Sequence, residues 1–557
     1  MHPAVGKLTQ LAELNLASNA LRSVPVEIGR LQKTLTSMTL DDNPVAGALA
    51  ELVAKGHEHV LTYLNLVMDA RKSLEVNLSF QGFHAFPNEV LHIPGLQSLF
   101  LNDNQIREVP ESLGPLMTAL TDMDISNNEI QKLPSTFGDL TSLTNLKISG
   151  NLLKTIPPTV GRILSLREMV VANNPLEAPP IDVVQRGGLA VLQFLRSFHV
   201  GNRTGILRMN RMSLVSLPLE MAVTERITEL DVSKNEIEVL PEEIGQFVNL
   251  KILLLDQNLL SVIPESIASL QKLRTLGLDG NKLTNLPAKI HMLRSLEQLS
   301  FLDNKIITIP TTIAYLTNLT HLGLDTNKVV SPPREIAIQG TKKILQFAQV
   351  ILEAPYTESA DLGGYSLRSF PLELAHQTGL QTLKLFNNYL TTVSNEIGKL
   401  PNLTELWLSY NQLKKLPPSI GALTALLKLN LDNNQLAQLP PQIGALTSLR
   451  ELWANDNTLT QVPSVIGLLT GLRDLRLSGN QLAAIPSEVC ELGELKTLRL
   501  SQNLLFQLPN QICQLTSLTE LTLIGNPIKE LPLSMGAMVD HVRKLHLDPK
   551  HIMLPPV

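Results

Sequence analysis

Few side chains in this sequence are placed for chemistry. His57-Glu58-His59 is the closest approach to a metal cluster, but its spacing is wrong for a His-x-x-x-His zinc helix, and a solvated helix end accounts for it. Cys490 and Cys513 stand at equivalent places in adjacent repeat units, where most other units have Gly; two reduced thiols packed under the surface explain them. There is no G-x-x-x-x-G-K-S/T phosphate loop, no G-x-G-x-x-G after a strand, no H-E-x-x-H and no C-x-x-C. Sequons at Asn77, Asn202, Asn318 and Asn402 mean little without a secretory signal. The chain is therefore expected not to be an enzyme and to need no metal or cofactor. What remains is recognition chemistry. Both tryptophans, Trp407 and Trp453, fall close to Phe386, Tyr410, Arg476 and Arg499, and exposed aromatics beside arginine are the composition of an interface hot spot.

Composition narrows the setting for such a site. In 557 residues, hydrophobics reach 44%, largely leucine, while charged residues are 17% and aromatics 4%. A net charge of −5 offers no basic field for nucleic acid or an anionic membrane. Two cysteines cannot make a disulfide framework and point to a reducing compartment. No run reaches the roughly 18–20 apolar residues of a membrane span, and the N-terminus lacks the apolar segment of a signal peptide. A cytoplasmic location is the expectation.

The elements that must position the candidate residues are read from self-similarity. The pattern L-x-x-L-x-L-x-x-N-x-L recurs, as in Leu403, Leu406, Leu408, Asn411, Leu413 and again in Leu472, Leu475, Leu477, Asn480, Leu482. Counting on the Asn gives 22 units from Asn19 to a degenerate Lys550, mostly 23 residues apart, and proline stands six residues after the anchor in 20 of them. Leu49 and Ser394 are the exceptions. Such a proline suits the turn where each coil leaves its strand. A short strand turns its leucines inward with period two, and units must stack to bury them. The Asn, placed where the chain turns inward, is expected to bond unpaired backbone groups of its own coil and the next.

These motifs resemble the leucine-rich-repeat proteins. The L-P-x-x-I-x-x-L half of each unit, as in Leu416-Pro417-Pro418-Ser419-Ile420-Gly421-Ala422-Leu423, is similar to the intracellular Ras-group class, which includes Ras-binding scaffolds, plant intracellular Ras-group proteins and Scribble-like proteins. The resemblance implies an α/β solenoid, a horseshoe of about 22 coils with short parallel strands on the concave face.

Three steps between anchors are longer, Asn43 to Gln81, Asn174 to Met212 and Asn327 to Tyr365, each by the same 15 residues. Each carries a Gly (Gly56, Gly187, Gly340), a Val-Leu or Ile-Leu pair and an aromatic (Tyr63, Phe194, Phe347), with apolar spacing that predicts a short helix. The expected organisation is coils over 1–45, which look truncated at their start, a helical insert over 46–72, coils over 73–180, an insert over 181–203, coils over 204–333, an insert over 334–356, and coils over 357–557. A helix packed on the side of the solenoid and a docking or hinge helix are the two readings of these inserts. The chain also stops in mid-unit at Leu554–Val557, and an unusual cap and a part of a longer protein are the two expectations for its ends.

Function is then expected on the outward strand positions, six, four and two residues before each anchor. The middle of the chain is acidic there, with Asp122, Asp124, Glu168, Glu229, Asp231, Asp256, Asp279, Asp303 and Asp325; Asp231, Asp256, Asp279 and Asp325 form a secondary candidate track for a basic partner. One later column reads Lys384, Trp407, Asn430, Trp453, Arg476, Arg499, which predicts two solvent-facing indoles roughly 10 Å apart. The leading expectation is a non-catalytic protein-binding scaffold in signal transduction, and the resemblance implies a Ras-type small GTPase as partner. No R/K-V-x-F phosphatase-docking peptide is present. The alternatives are the ligand-sensing part of a larger disease-resistance or kinase-linked signalling protein, and a regulator or ligase effector with an added catalytic domain.

Overall fold

The structure, a computed structural model, describes residues 1–217, 224–538 and 540–548. The expected anchor Lys550, together with Pro218, Pro556 and Leu554–Val557, lies outside them. The chain divides into two compact units, Met1–Leu283 and Thr284–Val557.

Each described coil contributes a three-residue strand, and within each run between inserts the strands pair in parallel with their neighbours one repeat away. In the first unit Glu13–Asn15 pairs with Ser37–Thr39, five strands run from Glu75–Asn77 to Glu168–Val170, and four run from Ile206–Arg208 to Thr275–Gly277. In the second unit Gln298–Ser300 pairs with His321–Gly323, and nine strands run in chain order from Ser359–Asp361 to Lys544–His546. The constant repeat length places equal columns opposite one another. Thus Leu383, Leu406, Leu429, Leu452, Leu475 and Leu498 are successive Cα partners, and every one is fully buried. No leucine of this kind can be shielded by its own coil, so stacking is the fold.

The anchor asparagines close the stack. Asn434 Nδ2 donates to the carbonyls of Leu431 (3.0 Å) and Asp432 (3.2 Å) in its own coil and of Leu408 (2.9 Å) in the coil before. Its Oδ1 accepts from the Leu413 N–H at 3.0 Å. Asn411, Asn457, Asn480 and Asn503 repeat the pattern, all but buried. One amide thus satisfies backbone groups that the strand and turn leave unpaired, as expected from its place in the repeat.

The residue just before the anchor adopts a left-handed conformation in most coils, for example Asn127 (φ 53°), Gln257 (φ 54°) and Asn433 (φ 55°), with Gly150, Gly280 and Gly479 doing the same. That conformation is comfortable for Asn, Asp and Gly and costs other residues about 1–2 kcal/mol. The recurrent proline then opens a short 3-10 turn on the other side of the coil; Pro417, with φ −72°, precedes Pro418–Ala422. At the exception Ser394, the hydroxyl takes over by accepting from the Glu396 N–H at 3.2 Å.

The three inserts form one design. A short helix (Ala48–Lys55, Ile181–Gln185, Arg334–Ala337) leads through Gly56, Gly187 or Gly340, each at positive φ, into a 17-residue helix: His57–Ser73, Gly188–Thr204 or Thr341–Thr357. The long helices pack on the 3-10 turns Val26–Lys33, Pro158–Arg162 and Thr311–Tyr315 respectively. The strand ladder stops at each one, since Ser37–Thr39, Glu168–Val170 and His321–Gly323 do not pair with the strand that follows the helix. The coil after each helix lacks an asparagine anchor. The carbonyl of the residue at the anchor position is reached by a long side chain 26 residues earlier: Lys55 Nζ to Gln81 O (3.0 Å), Arg186 Nη1 to Met212 O, and Gln339 Nε2 to Tyr365 O (3.1 Å). Four residues before each donor an acid accepts the N–H 33 residues ahead of itself: Glu51 from His84 (3.0 Å), Asp182 from Val215 (3.1 Å) and Glu335 from Arg368 (2.7 Å). An acid and a donor one helical turn apart therefore staple each new run to its insert.

Two substitutions separate the core from the ladder. Leu431→Ala should cost about 2–5 kcal/mol of unfolding free energy through the cavity it leaves. Asn434→Ala should cost at least about 2 kcal/mol, because it orphans carbonyls in two coils together with the Leu413 N–H. Urea titrations followed by circular dichroism measure both, and a change below 0.5 kcal/mol at Asn434 would contradict the role assigned to the ladder.

Candidate functional site

Between the third insert and the C-terminal coils, the outward strand positions assemble a compact aromatic and cationic cluster. The register sets Lys384, Trp407, Asn430, Trp453, Arg476 and Arg499 side by side on successive strands, as the sequence column predicts. The two indoles, however, are neither about 10 Å apart nor fully solvent-facing. Their ring centroids are 5.8 Å apart, their planes are at 89°, and both side chains are half-buried. The cause is Asn430 on the intervening strand. It is small and buried, and its Oδ1 accepts from its own chain at Asp432 N (3.0 Å), so the rings close over it edge to face.

Cations fix the rings from either side. Lys428 Nζ lies 4.6 Å from the Trp407 centroid and 4.0 Å from that of Trp453, and it is paired with Glu451 at 2.9 Å. The Arg476 guanidinium stacks over Trp453 at 4.1 Å and is held at 2.7 Å by Asp474, whose hydrogen bonds and charge raise the arginine pKa still further. The indole N–H groups are also engaged, Trp407 with Glu405 (3.1 Å) and Trp453 with Asp474 (3.3 Å). Each cation–π contact is worth about 0.5–2 kcal/mol. Lys428, Glu451, Asp474 and Glu405 are site residues that the sequence reading missed. They stand six residues before their anchors and are Cα partners in series, so reading that column across the coils would have found them.

The remaining candidates are less tightly gathered. Arg499 sits next to Arg476 in the ladder and pairs with Glu520 at 3.0 Å. Phe386 leans toward the preceding coil, over Gly363, where an added Cβ would lie 2.5 Å from the ring. Tyr410 is not on the strand at all. It occupies the left-handed turn before Asn411 (φ 55°) and is 61% exposed, on the rim of the face.

The acidic column resolves differently. Asp303 occupies the left-handed turn before Asn304, not a strand. Asp231 turns one oxygen back to Ser233, accepting from its N–H (3.0 Å) and hydroxyl (2.7 Å). Asp256 accepts from the Asp279 N–H at 2.9 Å, and its pKa is raised, chiefly by burial and further by the charges of Asp279 and Asp231. Asp231, Asp256 and Asp279 belong to the first unit, whereas Asp303 and the exposed Asp325 belong to the second. His57, Glu58 and His59 open the first long helix, and among the described residues no group of three or more His, Cys, Asp or Glu side chains could hold a metal ion. Burial pushes the Cys490 thiol up to about 11, which keeps it protonated and a poor nucleophile. Cys513, by contrast, is only half-buried.

A half-buried carboxylate at the foot of the site carries a pH signature. The Asp432 pKa is raised above its ordinary value, chiefly by burial, against opposing hydrogen bonds from Asn455 and the charge of Arg476. Its contribution to stability is then fully present below the unfolded pKa and is lost as pH rises through the folded one. The stability of Asp432→Asn relative to the unmodified chain should therefore increase from about pH 3.5 to about pH 7. Thermal melts across that range would show it, and a decrease would contradict it.

The repeat is matched by known families. A family model described as leucine rich repeat matches residues 94–153, 118–176, 225–283, 272–329 and 470–528, and one described as a leucine-rich repeat region matches residues 372–464. Among solved structures, a leucine-rich-repeat protein of Leptospira interrogans is 28% identical over 86% of this chain and 98% of its own, with a TM-score of 0.31. An internalin of Listeria monocytogenes is 23% identical over 59% and 83% of the two chains, with a TM-score of 0.32. The Arabidopsis receptor kinase HAESA, in complex with the peptide hormone IDA and the co-receptor SERK1, is 22% identical over 97% and 87%, with a TM-score of 0.31. With the stacked parallel strands and the asparagine ladder, the family matches lead to one conclusion: the chain belongs to the leucine-rich-repeat proteins, and its units are α/β solenoids.

Proposed function

We propose that the strand face around Trp407 and Trp453 binds a protein partner, and that the chain acts as a non-catalytic interaction scaffold in signal transduction in the cytoplasm. The observation that carries this reading is the edge-to-face indole pair pinned by Lys428 and Arg476. The only two tryptophans in 557 residues meet on one outward face, although inward leucines alone would complete the core. Held rings lose little conformational freedom when a partner covers them, which is what makes an aromatic anchor effective. The ion pairs with Glu451, Asp474 and Glu520 leave the surface nearly balanced in charge, so partner choice rests on shape and ring contacts more than on net charge. A Ras-type small GTPase is the candidate partner, on the resemblance of the L-P-x-x-I-x-x-L half-repeat to the Ras-group class.

The test is calorimetric titration of purified Ras-type GTPase, loaded with a GTP analogue or with GDP, into the unmodified chain and into a Trp407→Ala/Trp453→Ala variant. The double substitution should weaken binding by about 2 kcal/mol or more, roughly 30-fold, in a chain that stays folded by circular dichroism at the titration temperature, although loss of the ring contacts lowers its melt. Full affinity in the variant would remove the site. Failure of the GTPase to bind in either nucleotide state would remove that partner.

A further inference from the structure

The three insert helices are the same element built three times in one chain, so each is a control for the others. At three corresponding positions the first carries Glu58, Asp69 and Glu75, and the third Lys342, Glu353 and Ser359. The second carries Leu189, Val200 and Ile206. Leu189 is 71% exposed and Val200 50% exposed. Along Gly188–Thr204, Leu189, Gln193, Arg196 and Val200 recur at helical spacing on the stripe opposite the buried Val191, Phe194, Leu195 and Phe198. With Ile206 and Arg208 of the next strand this stripe lines a groove of about 640 Å³, at a place where the strand ladder is interrupted. A solvated helix face needs no leucine there, and the sister helices have none.

Charge singles out the same insert. Residues 183–217 hold five arginines (Arg186, Arg196, Arg203, Arg208, Arg211) and no Asp or Glu, in a chain of net charge −5. Arg196 and Arg208 line the groove itself, Arg196 also reaching the carbonyls of Ile163 and Leu166 at 3.4 Å and Arg208 pairing with Glu229 at 2.9 Å, while Arg186 bonds the Met212 carbonyl. Partial burial, and after it the charges of Arg162 and Arg203, lower the pKa of His199, beside the groove residue Val200. We propose that this groove docks an acidic amphipathic segment of a partner protein, its apolar side chains against Leu189, Val200 and Ile206 and its carboxylates toward the arginines. Leu189 and Val200 lie roughly 16 Å apart along the helix axis, a span that about three turns of a partner helix would match. An anionic membrane fits less well, because the helix's main apolar face is already packed on Pro158–Arg162 and cannot enter lipid.

The test uses the full chain and a fluorescein-labelled 16-residue peptide with leucines on one helical face and glutamates elsewhere. Fluorescence anisotropy should give saturable binding that weakens with added salt. A Leu189→Gln/Val200→Gln variant should lower affinity at least tenfold with an unchanged melt, whereas Trp407→Ala/Trp453→Ala should bind as tightly as the unmodified chain. Equal binding of the same peptide with lysine for glutamate would overturn the proposal. So would undiminished binding by the Leu189/Val200 variant, no binding of the acidic peptide, or binding only to phosphatidylserine vesicles.

Discussion

The structure depends on one amide hydrogen-bond set. In each regular coil an asparagine bonds carbonyls of its own turn and of the coil before, and accepts an N–H of that earlier coil. The geometry is possible only if the same residue returns at the same place every turn, which is why the repeat length is held so closely. It also leaves the outward strand positions out of the leucine core, where their side chains bridge coils only locally, as Asp256 does to the Asp279 N–H. Leucine and asparagine hold the coils together, and the residues between the leucines face outward, where the proposed recognition site lies.

The inserts show what happens when that set is broken. Where Gln81, Met212 and Tyr365 replace the asparagine, a different set appears: Lys55, Arg186 and Gln339 bond the anchor residue's own carbonyl, and Glu51, Asp182 and Glu335 take the N–H three residues beyond the anchor, groups that no anchor asparagine bonds in a regular coil. The backbone's demand for partners is met by a different residue type supplied from a helix. This explains why the three inserts have the same length and order of parts, while their outer faces differ.

Periodicity made the strands, the core leucines, the proline turns and the helical inserts legible in the sequence, because each recurs at a fixed spacing. The same column placed Lys384, Trp407, Asn430, Trp453 and Arg476 correctly in register. It did not give the separation of the rings, which depends on Asn430 folding back on its own chain and leaving room above itself. Nor did it reveal Lys428, whose importance appears only when two columns on neighbouring strands are read together. Tyr410 and Asp303 were misplaced because a turn residue one step before the anchor lies outside the period-two strand. The insert staples join residues 26 and 33 positions apart, beyond any local pattern, although an acid and a long donor one helical turn apart precede each insert glycine.

Having only two tryptophans makes the proposed recognition face directly observable. Selective nitrogen-15 labelling of tryptophan would yield two indole N–H signals in a transverse-relaxation-optimised spectrum of the full chain. The account predicts two well-separated, exchange-protected signals in the free protein, reflecting the bonds to Glu405 and Asp474, and a shift of both when a protein partner saturates the chain. Indoles at unstructured positions in the free protein, or signals that stay put when the partner is bound, would contradict it.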